Sequence, residues 1–292
     1  MGERNIGFIG LGSLGSVIAA NLQEKGQLHY IYNRTPEKIF PFAERGAIAC
    51  ASIKEIARSC DILFSIVSDD AAAMAITEGP GGIAANLKKE GIHVCMSTIL
   101  PAISISLNQA HRRHDNHYIA CPVIGRPEAA KARQLNLCVA GDLTAKHRIA
   151  PILADAGAAH VWDYGEEPEN ANVAKLCCNF MIISSIETMA EGLALAERSS
   201  VDKSMVMKML SQTIFNCLVF NNYGKMIVEE KFFPAGFALR LGLKDVGLIR
   251  QQSENVGLSM PFADILQERL ENCIGDGLSE YDWAAIALDA AK

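Results

Sequence analysis

In the first half of the chain, short apolar, β-branched runs alternate with segments whose apolar residues recur every three to four positions, the period of a helix packed on one side. NIGFIG (5–10), LHYIYN (28–33), DILFSIV (61–67) and IHVCMST (92–98) read as strands, and SVIAANLQEKG (16–26), TPEKIFPFAERG (35–46), AAAMAITEG (71–79) and AISISLNQAHRRH (102–114) as helices. This alternation predicts a doubly wound parallel sheet with helices on both faces. Further strands are expected at HYIACPV (117–123), LNLCVAGD (135–142) and AHVWDYG (159–165). Beyond about residue 165 the strand signal fades. Long apolar-periodic segments follow at roughly 168–198, 203–221, 235–255 and 260–274, so the second half is expected to be helical and joined to the first by a long helix. Acidic GEEPENA (165–171) with Pro168 is a plausible helix start, which divides the chain into 1–165 and 166–292.

The first strand runs into Gly10-Leu11-Gly12-Ser13-Leu14-Gly15, and a helix follows. In this strand–turn–helix setting the glycine spacing is a dinucleotide fingerprint. Gly10 permits the tight turn, Gly12 lets a pyrophosphate approach the backbone, and Gly15 allows close helix packing, with the phosphates on the helix N-terminus. The second strand ends at Asn33-Arg34-Thr35-Pro36-Glu37-Lys38, and the acid that would grip free ribose hydroxyls is missing at its end. Arg34 suits a 2′-phosphate, with Asn33, Thr35 and Lys38 as further donors, so NADP(H) is expected over NAD(H). The other reading of this turn is a solvated basic loop.

Composition narrows the partners. The chain has 292 residues, 50% of them hydrophobic, and a net charge of −6, which argues against nucleic acid or an anionic membrane surface. The N-terminal segment reaches charges and a glycine turn too early for a signal peptide, and no stretch holds about 20 uninterrupted apolar residues, so a cytoplasmic protein is expected. Nine scattered cysteines form no C-x-x-C pair and read as reduced core residues. His111, His114 and His117 lack the companions of a metal site and read as a solvated basic turn; no metal is expected.

One charge is out of place. In NANVAKLCCNF (170–180) a single lysine, Lys175, interrupts an apolar helical run that continues to Glu197. An ammonium there must reach water, pair, or lose its proton through a shifted pKa, and the third option is the catalytic one. Asn179, four residues on, shares its helix face.

At this point the sequence resembles the β-hydroxyacid dehydrogenase family, which includes 3-hydroxyisobutyrate dehydrogenase and glyoxylate/succinic semialdehyde reductases and shares its nucleotide-binding superfamily with 6-phosphogluconate dehydrogenase. FIGLGSLGSVIAANL resembles the family's opening signature, NRTPEK its NADP-type second-strand ending, and MSTILP (96–101) its S-T-x-x-P strand end. ACPVIGRPEAAKARQL is similar to the substrate loop, NANVAKLCCN to the K-x-x-x-N helix motif, and FALRLGLKD to the distal K-D segment. The resemblance implies a small carbonyl or hydroxy acid substrate, with Lys175 exchanging a proton with the substrate oxygen and Asn179 positioning it. It also implies that Val67, Ser68, Asp69, Thr98 and Lys244 face the cofactor. Ser97, Ile124, Gly125, Arg126, Phe237 and Asp245 would face the substrate, and the helical half would support a homodimer or homotetramer.

The substrate loop departs from the family's usual A-P-V-S-G-G. Here Ile124 replaces the serine, Arg126 stands where a small residue is usual, and Pro127 lacks an amide hydrogen. Arg126 either clamps a carboxylate or points to solvent, and Ile124 makes the pocket drier. Imine reductases share the architecture but usually lack the lysine, so an imine substrate is the alternative to carbonyl reduction. A nonenzymatic NADP-binding scaffold is a further one.

Overall fold

The computed structural model describes residues 4–291. The chain divides into two compact units, Met1–Lys175 and Leu176–Lys292.

Among the described residues, unit 1 is built on nine strands: β1 (Ile6–Ile9), β2 (Tyr30–Tyr32), β3 (Ile48–Ala49), β4 (Ile62–Ser65), β5 (Ile92–Cys95), β6 (His117–Ala120), β7 (Val123–Ile124), β8 (Leu135–Gly141) and β9 (Ala158–Asp163). Its helices are α1 (Ser13–Glu24), α2 (Phe40–Ala43), α3 (Ile53–Ser59), α4 (Asp70–Thr77), α5 (Ile83–Asn86), α6 (Pro101–Arg112), α7 (Pro127–Lys131) and α8 (Leu143–Asp155). Strands β3-β2-β1-β4-β5-β6 lie side by side in that order and all in parallel, the order of a Rossmann sheet, with its switch point between β1 and β4. Strands β1, β4 and β5 are buried along their whole length, so they read as continuous apolar runs instead of alternating ones. The parallel expectation fails at one end, where β8 runs antiparallel to β6 and β7. The chain reverses between β7 and β8 through residues 125–134, which carry α7, a connection shorter than the crossover that a parallel pair needs. Ile6, Phe8, Ile18, Leu22, Ile31 and Phe64 anchor the core.

Unit 2 is helical. α9 (Glu169–Arg198) begins in unit 1, and the division between units falls within it; α10 (Lys203–Gln212), α11 (Leu218–Glu229), α12 (Leu239–Asn255), α13 (Pro261–Gly275) and α14 (Ala287–Ala290) follow. The apolar segment expected at 203–221 is two helices, broken over Thr213–Cys217, where Thr213 leaves helical geometry. Ile183, Ile186, Met189 and Leu193 of α9 pack with Tyr223, Leu239, Leu266 and Trp283 in the core of this unit. By length and composition alone α9 could cross a bilayer, with a mean hydropathy of 1.3 in its most apolar stretch, although no such segment is expected from uninterrupted apolar runs. A core helix passes the same test.

Candidate active site

The glycine turn shows why each glycine is there. Gly10 has φ +98°, and a Cβ on it would lie 2.1 Å from the Ile66 carbonyl oxygen; one on Gly15 would lie 2.1 Å from the Gly10 oxygen. These two residues let β1, β4 and α1 close up. Gly12 differs, because nothing lies within 4 Å of the Cβ it lacks. Packing does not demand glycine there, and the open space lies at the N-terminus of α1, whose first turn carries no acidic side chain and no side-chain cap. An exposed helix start with room beside its backbone fits a dinucleotide pyrophosphate. Gly12 and Ser13 are exposed, whereas Leu11 and Gly15 are buried and Leu14 packs on the core.

Asn33 ties this turn to the end of β2. Its Oδ1 accepts from the Leu11 amide at 2.8 Å, and its Nδ2 donates to the Thr35 carbonyl at 2.8 Å. The Leu11 amide is therefore committed to the fold. Arg34, Thr35 and Lys38 follow, all exposed.

The loops after β4 and β5 are laced together. The Val67 amide donates to the Ser97 hydroxyl at 2.8 Å, the Leu100 amide to Asp70 Oδ1 at 3.0 Å, and the Met96 amide to the Ser65 carbonyl at 2.7 Å. Ser97 is only 1% exposed, so its side chain serves this lacing. Asp69 caps α4 by accepting from the Ala72 amide at 2.8 Å and takes the Ser68 hydroxyl at 2.6 Å. Thr98 is half-buried in the same turn. Below these loops runs a chain that sequence reasoning missed. Asn116 donates from Nδ2 to the Ala84 and Leu87 carbonyls, so its Oδ1 accepts from His111 Nδ1 at 2.5 Å. His111 Nε2 must then accept from His93 Nδ1 at 3.0 Å, and His93 Nε2 from the Ser65 hydroxyl at 2.7 Å. Burial holds both imidazoles neutral, pushing His111 down to about 4 and His93 well below its ordinary value, with their mutual repulsion adding to the effect on His93. This corrects the expected solvated turn: Arg112, Arg113 and His114 are exposed, while His111 is in the core. Its position on the inner face of α6, at helical spacing from Leu107, was the available signal.

In the substrate loop, Ile124 pairs with Asn136 across β7 and β8, and Gly125 has φ +151°. Arg126 is half-buried, with Nε 3.9 Å from Glu128 Oε2, too long for a strong ion pair.

Lys175 and Asn179 lie one turn apart on α9, and both are buried, at 8% and 3% exposure. Within unit 2, Asn179 Nδ2 donates to Asp245 Oδ2 at 2.5 Å, and Lys244 Nζ sits 2.7 Å from Asp245 Oδ1. The structure thus joins three of the residues singled out from sequence, with the carboxylate of Asp245 at the centre, 2% exposed. Phe237 is half-buried and packs within unit 2, its ring edge-on to Trp283 at 4.7 Å. Among the described residues no disulfide joins any of the nine cysteines; Cys177 and Cys217 are exposed and Cys178 half-buried, so three of the nine are not core residues. Among the described residues, no group of three or more His, Cys, Asp or Glu side chains could hold a metal ion.

The family profile for the NAD-binding domain of 6-phosphogluconate dehydrogenase matches residues 5–176, and that for the NAD-binding region of NADP-dependent 3-hydroxyisobutyrate dehydrogenase matches residues 170–288. The uncharacterized oxidoreductase YfjR of Bacillus subtilis (strain 168) is 35% identical over 281 residues, covering 96% of this chain and 98% of that protein. The chloroplastic glyoxylate/succinic semialdehyde reductase 2 of Arabidopsis thaliana is 29% identical, covering 100% and 81%. In fold, the chain is similar to 3-hydroxyisobutyrate dehydrogenase of Mycobacterium tuberculosis, solved with L-serine, at a TM-score of 0.89 and 20% identity over 99% of both chains. The chain belongs to the 3-hydroxyisobutyrate dehydrogenase, or β-hydroxyacid dehydrogenase, family of nicotinamide dinucleotide-dependent oxidoreductases.

Proposed function

We propose that this protein is an NADPH-dependent reductase of a small aldehyde or keto compound, or in reverse an NADP-dependent dehydrogenase of the matching hydroxy acid, with Lys175 as the proton donor and acceptor. The observation that carries this reading is a lysine 8% exposed on a mostly apolar stretch of helix, one turn from an asparagine bonded to a buried carboxylate. When bound, the reduced nicotinamide supplies a hydride to the carbonyl carbon. The Lys175 ammonium gives its proton to the oxygen as negative charge develops there, and the resulting amine is reprotonated from water. Asn179, oriented by Asp245, holds the substrate oxygen or the amine in register, and Lys244 balances the charge of that carboxylate. The laced turns bearing Val67 and Thr98 fix the backbone against which the nicotinamide half lies. Residues 1–165 then form the cofactor domain and 166–292 the substrate and association domain.

The 2′-phosphate preference rests on Arg34, exposed near Thr35 and Lys38 and following β2, whose end carries Asn33 in place of the acid that would grip free ribose hydroxyls. Arg126 of the substrate loop takes a carboxylate or another anionic group of the substrate. Exposed Met181 and Leu195 on α9, at 67% and 69%, support self-association into a homodimer or homotetramer in the cytoplasm. The relative named a glyoxylate/succinic semialdehyde reductase supports a carbonyl substrate.

The test is NADPH oxidation across a panel of aldehydes, semialdehydes, keto acids and cyclic imines. Turnover of carbonyl compounds that Lys175→Ala abolishes is expected. Turnover confined to imines, or none on any compound despite tight NADPH binding, rejects this reading in favour of an imine reductase or a nonenzymatic scaffold.

A further inference from the structure

Asn172 lies one turn before Lys175 on α9, and the three-residue spacing puts both on one face of the helix. It is 2% exposed, yet its side-chain Oδ1 meets no hydrogen-bond donor among the described residues. Its neighbours Ala171 and Ala174 pack in an apolar cluster with Tyr118, Cys138 and Ala140. Buried amide oxygens are rarely left in this condition, because desolvation without a partner destabilises the fold. A donor within reach of this oxygen would satisfy it.

Helix geometry says where from. Helical side chains lean toward the N-terminus and cover the turn before their own Cα. The stem of Lys175 thus runs over the turn that bears Asn172, and its four soft torsions let Nζ reach that turn without backbone movement. An ammonium carries three donors and no acceptor. One is used on the substrate oxygen, and the others need acceptors in a site from which water is displaced.

We propose that Asn172 is a positioning residue for the proton donor: its Oδ1 accepts a hydrogen bond from the Lys175 ammonium, aiming the proton and favouring the charged form. The proposal rests on the reading of Lys175 as the acid–base group. It also explains the residue type, since an amide oxygen accepts without bringing a full charge that would lock the proton in place.

The experiment is the pH dependence of NADPH-driven reduction of the best aldehyde of the panel, in wild type and in Asn172→Ala, Asn172→Asp, Asn172→Gln and Lys175→Arg, with thermal stability recorded for each. Reduction needs the protonated lysine, so the rate falls on an alkaline limb set by Lys175. Losing the acceptor moves that limb to lower pH in Asn172→Ala, a carboxylate moves it to higher pH in Asn172→Asp, each by about half a unit or more, and Asn172→Gln stays near wild type. If Asn172→Asp does not fold, Asn172→Ala decides alone. A limb that stays in place while stability and rate fall makes Asn172 a structural residue and overturns the proposal. The Lys175→Arg control separates the two ideas. If its residual activity loses the limb, the lysine assignment stands whatever Asn172 does; a limb that persists there removes the lysine assignment itself.

Discussion

The side-chain oxygen of Asn33, at the end of β2, accepts the backbone amide of Leu11 in the glycine turn at 2.8 Å, while its amide nitrogen holds the Thr35 carbonyl. One side chain therefore couples the glycine turn to the turn at the end of β2 that carries Arg34. Asn33→Ala is expected to weaken NADPH and NADH alike, by about tenfold, the worth of one backbone hydrogen bond plus the lost order of the turn. Fluorescence titration of both cofactors checks this. Unchanged affinity for both would show that the turn holds its shape without the tether.

On the proposed NADP preference, Arg34 is expected to act on only one of the two cofactors. Removing its guanidinium in Arg34→Ala should cost about tenfold or more in NADPH affinity and leave NADH nearly unchanged, because only the former carries the phosphate. Comparison of the two dissociation constants measures it, and a wild-type protein that prefers NADH contradicts the NADP assignment.

The three glycines separate packing from binding. Gly10→Ala and Gly15→Ala drive a methyl into backbone carbonyl oxygens at 2.1 Å and should lose about 2 kcal/mol or more of stability. Gly12→Ala meets no protein atom within 4 Å, so its melting temperature should stay near wild type while cofactor affinity falls. Paired thermal melts and titrations distinguish them. A Gly12→Ala variant that binds cofactor normally would mean that the open space is not where the pyrophosphate lies.

The buried His93–His111 pair makes unit 1 acid-sensitive. In the unfolded chain an imidazole takes its proton near pH 6.5, whereas folded His111 resists to about 4. Between those values the unfolded state holds more protons, so stability is intact above about pH 6.5 and is lost as pH falls toward 4, by roughly 3 kcal/mol for His111 alone. His93, shifted in the same direction, adds to the loss. Urea unfolding at pH 7.5 and pH 4.5 should show this difference, reduced in His111→Gln. Equal stability of the wild type at the two pH values would contradict the neutral ladder.

Much of this was legible in the sequence because strand–glycine–helix order and apolar periodicity are local. The parallel core, the cofactor turn and the run of long helices all follow from such patterns. What was hidden depends on which residues meet across the fold. Ser97 has the sequence of a site residue, yet its hydroxyl is used by the Val67 amide of a neighbouring loop. His111 stands beside Arg112 and Arg113, which disguises a core residue as part of a charged turn. The 203–221 segment keeps an apolar content that hides its break, since only the backbone at Thr213 ends the helix. Phe237 looks like a cleft wall in a motif and is a packing partner of Trp283. The bond between Asn179 and Asp245 joins positions 66 residues apart, and spacing alone gives no hint of it.

The central claim is that Lys175 supplies the proton. Its most direct test is the single-turnover rate of NADPH oxidation with saturating aldehyde in wild type and Lys175→Met, with NADPH affinity measured on the same samples. The account predicts that the variant binds NADPH within about twofold of wild type and loses at least about 100-fold in the chemical step, the usual contribution of a positioned proton donor. A Lys175→Met protein that reduces the aldehyde within a few-fold of the wild-type rate would contradict it.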